Sequence, residues 1–217
     1  MKTTTKSVII LLILIHLSMF ANAGNVFPTS DSNKNLPTFA VSMVPMYTLQ
    51  NAFRVDFEMK IAKNQWILFG PQYFVAQNKD MLFLNNGEKT DLEGFGIDIY
   101  HKIILKSEES ISGPYAAYGI RYNSLNFKYQ AWNTGGSMVD KNVTNSRYGF
   151  NVIFGYQSTF NNKLLLDLYT GCGVQVSNLS GDDGSLSDFG SSPFNFLNYN
   201  YSGPRFILGF RVGLFLN

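Results

Sequence analysis

The sequence has little of the side-chain chemistry that builds disulfide frameworks and metal sites. Its 217 residues include one cysteine, Cys172, and two histidines, His16 and His101. A single cysteine excludes an intrachain disulfide framework, and so few histidines exclude a multi-histidine metal site. We therefore expect neither a cofactor nor a metal ion.

An excess of charge of either sign is also missing. The chain has 17 Lys and Arg residues against 15 Asp and Glu residues, and two of the basic ones, Lys2 and Lys6, lie at the N-terminus. If that segment is removed, 15 residues of each sign remain. A balanced chain without a basic block gives no reason to expect a nucleic-acid partner.

No apolar run is long enough for a transmembrane helix. The run from Val8 to Leu17, broken by His16, is about half the roughly 20 residues that a spanning helix needs. Lys2 and Lys6 precede it and Ala21-Asn22-Ala23 follows, which is typical of a secretory signal peptide. The sequence predicts a signal peptide over 1–23, a flexible lead-in over 24–36 and one domain over 37–217.

The domain is organised around strict two-residue alternation. From Phe53 to Ile61 every odd position is large and apolar, and every even position is charged. On a β-strand this places the apolar residues on one face and the charges on the other. A half-buried soluble sheet has this pattern, and so does a transmembrane barrel strand.

Eight stretches with strand character follow one another, the first over Pro37 to Leu49. We expect a bulge or local break at Pro71, and either a bulge near Asn123 or a strand that leaves the membrane there, because the apolar phase changes. Short connections (Lys63-Asn64, Lys106 to Ser112, Asn161-Asn162) alternate with long ones (Asn78 to Glu93, Gln130 to Ser146, Ser177 to Gly203). Short periplasmic turns and longer external loops are typical of outer-membrane barrels. The predicted fold is an eight-stranded antiparallel up-and-down transmembrane β-barrel.

Charged residues fall repeatedly on the less apolar face of these strands. Since a charge facing lipid is costly, we expect this face to line the lumen, where an ion-pair network would fill the interior. A narrow pore for small solutes is the alternative. The predicted network consists of Arg54, Asp56, Glu58, Lys60, Asp98, Lys102, Arg121, Asp167 and Arg211.

The stretch from Trp66 to Tyr73 and the ending from Gly209 to Phe215 are similar to those of uncharacterised Gram-negative outer-membrane barrels. Together with the signal peptide and the eight amphipathic strands, they make the chain resemble the small OmpA/OmpX-type barrels over about Pro37 to Asn217. The resemblance implies a cell outer-membrane location and contact with outer-membrane lipid. The expectation of no enzymatic activity rests instead on the missing catalytic residues.

Catalytic and metal-binding constellations are weak. Small outer-membrane lipid-modifying enzymes share this architecture, but His101 is followed two residues later by Ile103 and has no catalytic partner in sequence. We expect His101 at the membrane interface and Cys172 facing lipid. Asp182, Asp183 and Asp188 lack the spacing of a calcium loop and are expected to be solvated.

The predicted role is structural or interactive, by a monomer. A surface ligand or another protein would contact the external loops, and the last loop carries the aromatic candidates Phe189, Phe194, Phe196, Tyr199 and Tyr201. A soluble, lipocalin-like binding barrel is a further alternative, in which the apolar faces would point inward.

Overall fold

The computed structural model describes residues 36–80, 89–132, 137–181 and 201–216. These residues form a closed barrel in which each strand pairs with its sequence neighbours, and β1 closes the ring against β8. Every pairing is antiparallel, so the predicted eight-stranded up-and-down barrel is confirmed. The strands are β1 (Phe39–Met43), β2 (Ala52–Ala62), β3 (Gln65–Asp80), β4 (Lys89–Ile104), β5 (Gly113–Trp132), β6 (Met138–Phe160), β7 (Leu164–Gly181) and β8 (Gly203–Leu216).

The turns at one end of the barrel follow from residues that accept a left-handed backbone. Asn64, Asn161 and Asn162 have φ values of 59°, 52° and 54°, a region that asparagine tolerates better than most residues. Asn64 also fixes the β4–β5 connection, because its Nδ2 donates to the carbonyl oxygens of Lys106 and Glu108 at 2.7 and 2.9 Å. We call this end of the barrel the lower end.

The first predicted strand is too long, because the chain leaves the barrel wall after Met43. A 3-10 helix covers Pro45–Gln50 and places Tyr47 among the buried residues. Proline at the start of a helix fits because its ring fixes φ and its missing N–H needs no partner there. Alternation alone does not reveal this change, since Met43, Pro45 and Tyr47 keep the same spacing.

Two of the predicted long loops begin and end in strand. The β5–β6 ladder continues to the pair Trp132–Met138, and the β3–β4 ladder continues to Asp80–Lys89. Long loops were predicted over Gln130–Ser146 and Asn78–Glu93. Glu93 and Asn142 of these segments point outward and are exposed, whereas Asn145 points inward and is buried.

Neither predicted irregularity is a bulge. Asn123 pairs with Gly96 on one side and Arg147 on the other without a change of register. The β2–β3 ladder lapses opposite Pro71, and the register is the same at Arg54–Gln72 and Phe57–Phe69. Pro71 therefore marks a local break, as expected of a residue without an N–H to donate.

A ring of outward aromatic residues divides the barrel into two parts. Neighbouring side chains of this set lie close together, and the centroids of their aromatic groups are 6.2 Å apart for Phe95–Tyr122 and 5.0 Å apart for Tyr122–Tyr148. We call the part from the turns up to this ring the lower barrel, and the ends of β3 to β7 beyond it the upper extension. The aromatic ring comprises Phe53, Tyr73, Phe95, Tyr122 and Tyr148.

The two parts have opposite inside-out polarity. Outside the lower barrel lie exposed apolar residues such as Met59, Ile120 and Phe154, and its interior holds buried charges. Outside the upper extension most exposed residues are polar, among them Glu93 and Asn126, with Val75 and Met138 as apolar exceptions. The interior of the upper extension is mostly apolar, with Asn145 as a buried polar exception, and it buries Ala76, Leu92, Leu125, Phe127, Tyr129 and Val143. No helix of the described residues is long and apolar enough to cross a membrane.

Candidate functional site in the barrel interior

The interior charges form one connected network rather than isolated pairs. It begins at Arg54, whose guanidinium lies 2.5 Å from both Asp56 and Asp98. The Nε atom of Arg121 also reaches Asp98, at 2.8 Å. Alternation along β2 causes this arrangement, because Arg54 and Asp56 share the inward face of one strand.

The network continues to the opposite wall through Arg211 on β8. Its Nε lies 2.7 Å from Asp56, and its Nη1 lies 2.5 Å from Asp167 on β7. Lys102 completes the network, with its Nζ 2.8 Å from Glu58 and 3.5 Å from Asp167. Eight of the nine residues predicted for the lumen are therefore brought together and buried: Arg54, Asp56, Glu58, Asp98, Lys102, Arg121, Asp167 and Arg211.

Lys60, the ninth residue predicted for the network, is not part of it. It lies at the lower rim and forms an ion pair with Glu109 of the β4–β5 connection. This hydrogen bond lowers the pKa of Glu109. The residue has the inward phase of β2, but the strand ends two positions later, so its side chain reaches the rim rather than the lumen.

Equal numbers of basic and acidic residues meet in the network, four of each. Burying charges carries a large desolvation cost, which is offset only when partners and hydrogen bonds are in place. Here each carboxylate except Glu58 contacts two basic residues. Such an arrangement holds strands together and leaves no surplus charge of its own.

Tyrosine hydroxyl groups complete the network, although no tyrosine was predicted to belong to it. Tyr47 accepts hydrogen bonds from Arg54 and Arg121. Tyr115 donates to Asp167 at 2.8 Å and accepts from the Nη1 atom of Arg211 at 3.2 Å. The sequence could have identified Tyr115, because it shares the inward phase of β5 with Arg121. It could not identify Tyr47 in this way, because Tyr47 lies in the 3-10 helix and not in a strand.

Space for these side chains comes from glycine on neighbouring strands. A Cβ atom on Gly70 would overlap Asp56 and Arg54, and one on Gly155 would overlap the ring of Tyr115. Small residues facing large ones are how a narrow barrel accommodates long side chains in its interior. These glycines are therefore part of the network's construction.

Two further inward arginines were not predicted for the network. Arg147 on β6 places its guanidinium carbon 6.0 Å from the centre of the Phe74 ring. Arg205 on β8 donates from Nη1 to the Oε1 atom of Gln175 at 3.2 Å. Both occupy inward-facing positions of their strands, so the two-residue alternation in the sequence could have placed them in the lumen.

The residues considered for catalysis or metal binding lie outside the network. His101 is on the outer face, with Nδ1 2.9 Å from the Tyr118 hydroxyl and Nε2 3.1 Å from Gln65 Oε1. Cys172 is a free, exposed cysteine on β7. Within the described ranges, no group of three or more His, Cys, Asp or Glu side chains could hold a metal ion.

The predicted loop contact surface lies mostly outside the part of the chain that the structure describes. Tyr201 is half-buried beside β8, and its carbonyl oxygen accepts a hydrogen bond from Gln175 at 2.8 Å. Phe189, Phe194, Phe196 and Tyr199 lie outside the described residues, as do Asp182, Asp183 and Asp188.

No protein-family model matches the chain, and no curated protein matches it. Among solved structures, a major outer membrane protein from Thermus thermophilus is similar at 14% sequence identity and a TM-score of 0.38. The match covers 84% of this chain and 100% of that one. At this level of similarity, the match supports no conclusion about the role of this chain.

Proposed function

We propose that the chain is an integral outer-membrane protein with a structural or surface-interaction role. The lower barrel would cross the membrane with its lumen filled by the ion-pair network. The upper extension would stand in water and present the loops to a surface ligand or protein partner. The protein would work as a monomer, without a cofactor and without catalysing a reaction.

The observation that carries this proposal is the exchange of polarity across the aromatic ring. Apolar residues point outward below the ring and inward above it, as expected if lipid surrounds the lower barrel and water surrounds the upper extension. A soluble lipocalin-like barrel would keep one polarity along its whole length. Aromatic residues at the boundary fit the girdles that transmembrane barrels place at the membrane interface.

The height of the apolar band is consistent with this proposal. On β7 it runs from Leu164 to Val176. At roughly 3.3 Å per residue and a strand tilt of about 40°, this stretch rises about 30 Å. That is close to the hydrocarbon thickness of a bilayer.

The filled interior favours an anchor over a pore. Charged side chains from β2, β4, β5, β7 and β8 meet across the lumen at ion-pair distance. An eight-stranded interior is just wide enough for side chains to fill. We therefore expect the reconstituted barrel not to conduct ions in a planar bilayer, and a steady unitary conductance would favour the pore alternative instead.

Membrane fractionation tests the proposal directly. The full chain should remain with the outer-membrane pellet after alkaline and urea washes, and it should migrate as a heat-modifiable band in gels. Recovery in the soluble fraction would favour the lipocalin-like barrel. Deleting 182–200 should leave both properties intact, because the barrel strands end outside that segment.

A further inference from the structure

The barrel wall is incomplete on one side of the lower barrel. β1 pairs with β8 only from Phe39–Leu216 to Met43–Val212. Above that point the chain turns into the 3-10 helix at Pro45, so the stretch of β8 from Gly203 to Arg211 pairs with β7 alone. Every second residue of this stretch directs its backbone N–H and C=O groups away from β7. Among the described residues, no strand pairs with these groups.

A cavity of about 340 Å³ passes around this free edge. It is lined by Arg205 and Arg211, which point inward from β8, and also by Phe206 and Leu208, which point outward from the same strand. Because the consecutive residues 205–208 alternate between the two faces of β8 and all line the cavity, the cavity lies along the edge of this strand. The interior is therefore connected to the outer surface beside the 3-10 helix, where Leu49 completes the lining.

The inner part of this cavity carries a positive charge that the ion-pair network does not neutralise. Arg205 hydrogen-bonds to the neutral side chain of Gln175, and no carboxylate of the described residues forms an ion pair with it. The other charged residues that line the cavity are paired within the network: Asp98 with Arg54 and Arg121, and Arg211 with Asp56 and Asp167. Arg205 is thus the cavity's available donor for an anion.

The outer part is apolar and faces the surroundings of the lower barrel. Phe206 is 85% exposed and Leu49 is 67% exposed. A fork of guanidinium donors suits phosphate and carboxylate oxygens, and an apolar mouth suits an alkyl chain. The volume lies at the lower end of the range for small-ligand sites, which fits one chain better than two.

We propose that this lateral opening binds a single-chain anionic amphiphile, with its phosphate or carboxylate at Arg205 and its alkyl chain between β8 and the 3-10 helix. The head group would also accept hydrogen bonds from the free edge of β8, whose backbone groups would otherwise face lipid unpaired. The proposal adds a ligand site to the anchor role and rests on that role only for the source of the ligand, which would be the bilayer at the mouth.

Native mass spectrometry of the refolded full chain in a non-ionic detergent tests this site. The probes are palmitoyl lysophosphatidic acid, palmitoyl lysophosphatidylcholine and inorganic phosphate. Lysophosphatidic acid should be retained as a one-to-one complex about tenfold more tightly than lysophosphatidylcholine, because only its head group offers an uncompensated charge to Arg205. Equal retention of the two lipids would overturn the proposal.

Two variants locate the site. Arg205→Gln should remove the preference for the anionic lipid, and Leu49→Asp should weaken its binding by placing a negative charge at the exposed mouth. Arg147→Gln is the matched control, since Arg147 is an inward arginine that does not line the cavity. An unchanged preference in a folded Arg205→Gln barrel would contradict the assignment, with folding checked by the heat-modifiable gel shift.

The remaining outcomes are also decisive. If inorganic phosphate at equal concentration displaces the lipid completely, the alkyl chain contributes nothing and the amphiphile assignment is wrong. Failure of the anchor proposal would be seen separately, as recovery of the chain in the soluble fraction. A soluble barrel that still prefers lysophosphatidic acid would keep the ligand site and reject the membrane anchor.

Discussion

The lower barrel and the upper extension share five strands, but they place polar and apolar side chains on opposite faces. Along β5, Ile120 points outward and is 60% exposed, and Arg121 points inward and is buried. A few residues later Leu125 is inward and fully buried, whereas Asn126 is outward and exposed. The backbone register does not change between them. Under the proposed function, the surrounding medium, and not the strand, decides which face is apolar.

The interiors also differ in how they are held together. The lower barrel relies on a neutral set of buried ion pairs, whose stability depends on every partner being present. The upper extension relies on apolar packing around residues such as Phe127, as a water-soluble sheet does. Substitutions of the same kind should therefore have different consequences in the two regions.

The largest effect should come from breaking the interior network at Asp98. The Asp98→Ala variant leaves Arg54 and Arg121 without their shared carboxylate and should lower the free energy of unfolding by about 3–5 kcal/mol. Equilibrium urea unfolding in lipid vesicles measures this change. Glu93→Gln is the matched control on the outer face of β4 in the upper extension, and it should change stability by less than about 0.5 kcal/mol. Equal effects would show that the charges are solvated.

The second largest loss of stability should come from a charge placed on the outward face of β6 in the lower barrel. Phe154→Arg places a charge at the middle of the apolar band and should cost about 2–4 kcal/mol in vesicles. Asn142→Arg, which is outward and exposed in the upper extension, should stay within about 0.5 kcal/mol of the parent. A Phe154→Arg barrel as stable as the parent would mean that water surrounds the lower barrel.

A smaller effect concerns the apolar interior of the upper extension. Val143 is buried there, so Val143→Ala should cost roughly 1–2 kcal/mol through lost apolar burial. Asn142→Ala, one position away on the outer face, should have almost no effect in the same unfolding assay. If both variants are neutral, the upper extension does not pack as a core.

The smallest effect lies at the lower rim, where Lys60 lowers the pKa of Glu109. A carboxyl group whose pKa is lower in the folded state stabilises the fold above its unfolded-state pKa, and this contribution is lost as the pH falls through the folded-state pKa. The parent should therefore exceed Glu109→Gln slightly in stability near neutral pH, and the two should converge in acid. Added salt should also reduce the difference. A gap that widens in acid would contradict the pairing.

Sequence alternation was enough to predict the barrel and most of its interior network. On β2 the positions of Arg54, Asp56 and Glu58 follow from a period of two and the cost of a charge in lipid. Alternation located the phase change at Leu125 but could not decide between a bulge and a strand that leaves the membrane, and the polar outer face beyond it was interpreted as a loop. Tyr47 was missed for a different reason, because a 3-10 helix interrupts the strand without changing the apolar pattern.

The change of medium along β6 is the central claim, and accessibility measured by site-directed spin labelling tests it most directly. In a Cys172→Ser background, single spin labels replace Phe154, Phe150, Thr144 and Asn142, which all lie on the outer face. In vesicles, labels at Phe154 and Phe150 should collide with oxygen and be shielded from a water-soluble nickel chelate, and labels at Thr144 and Asn142 should show the reverse. Equal chelate access at all four positions would contradict the account.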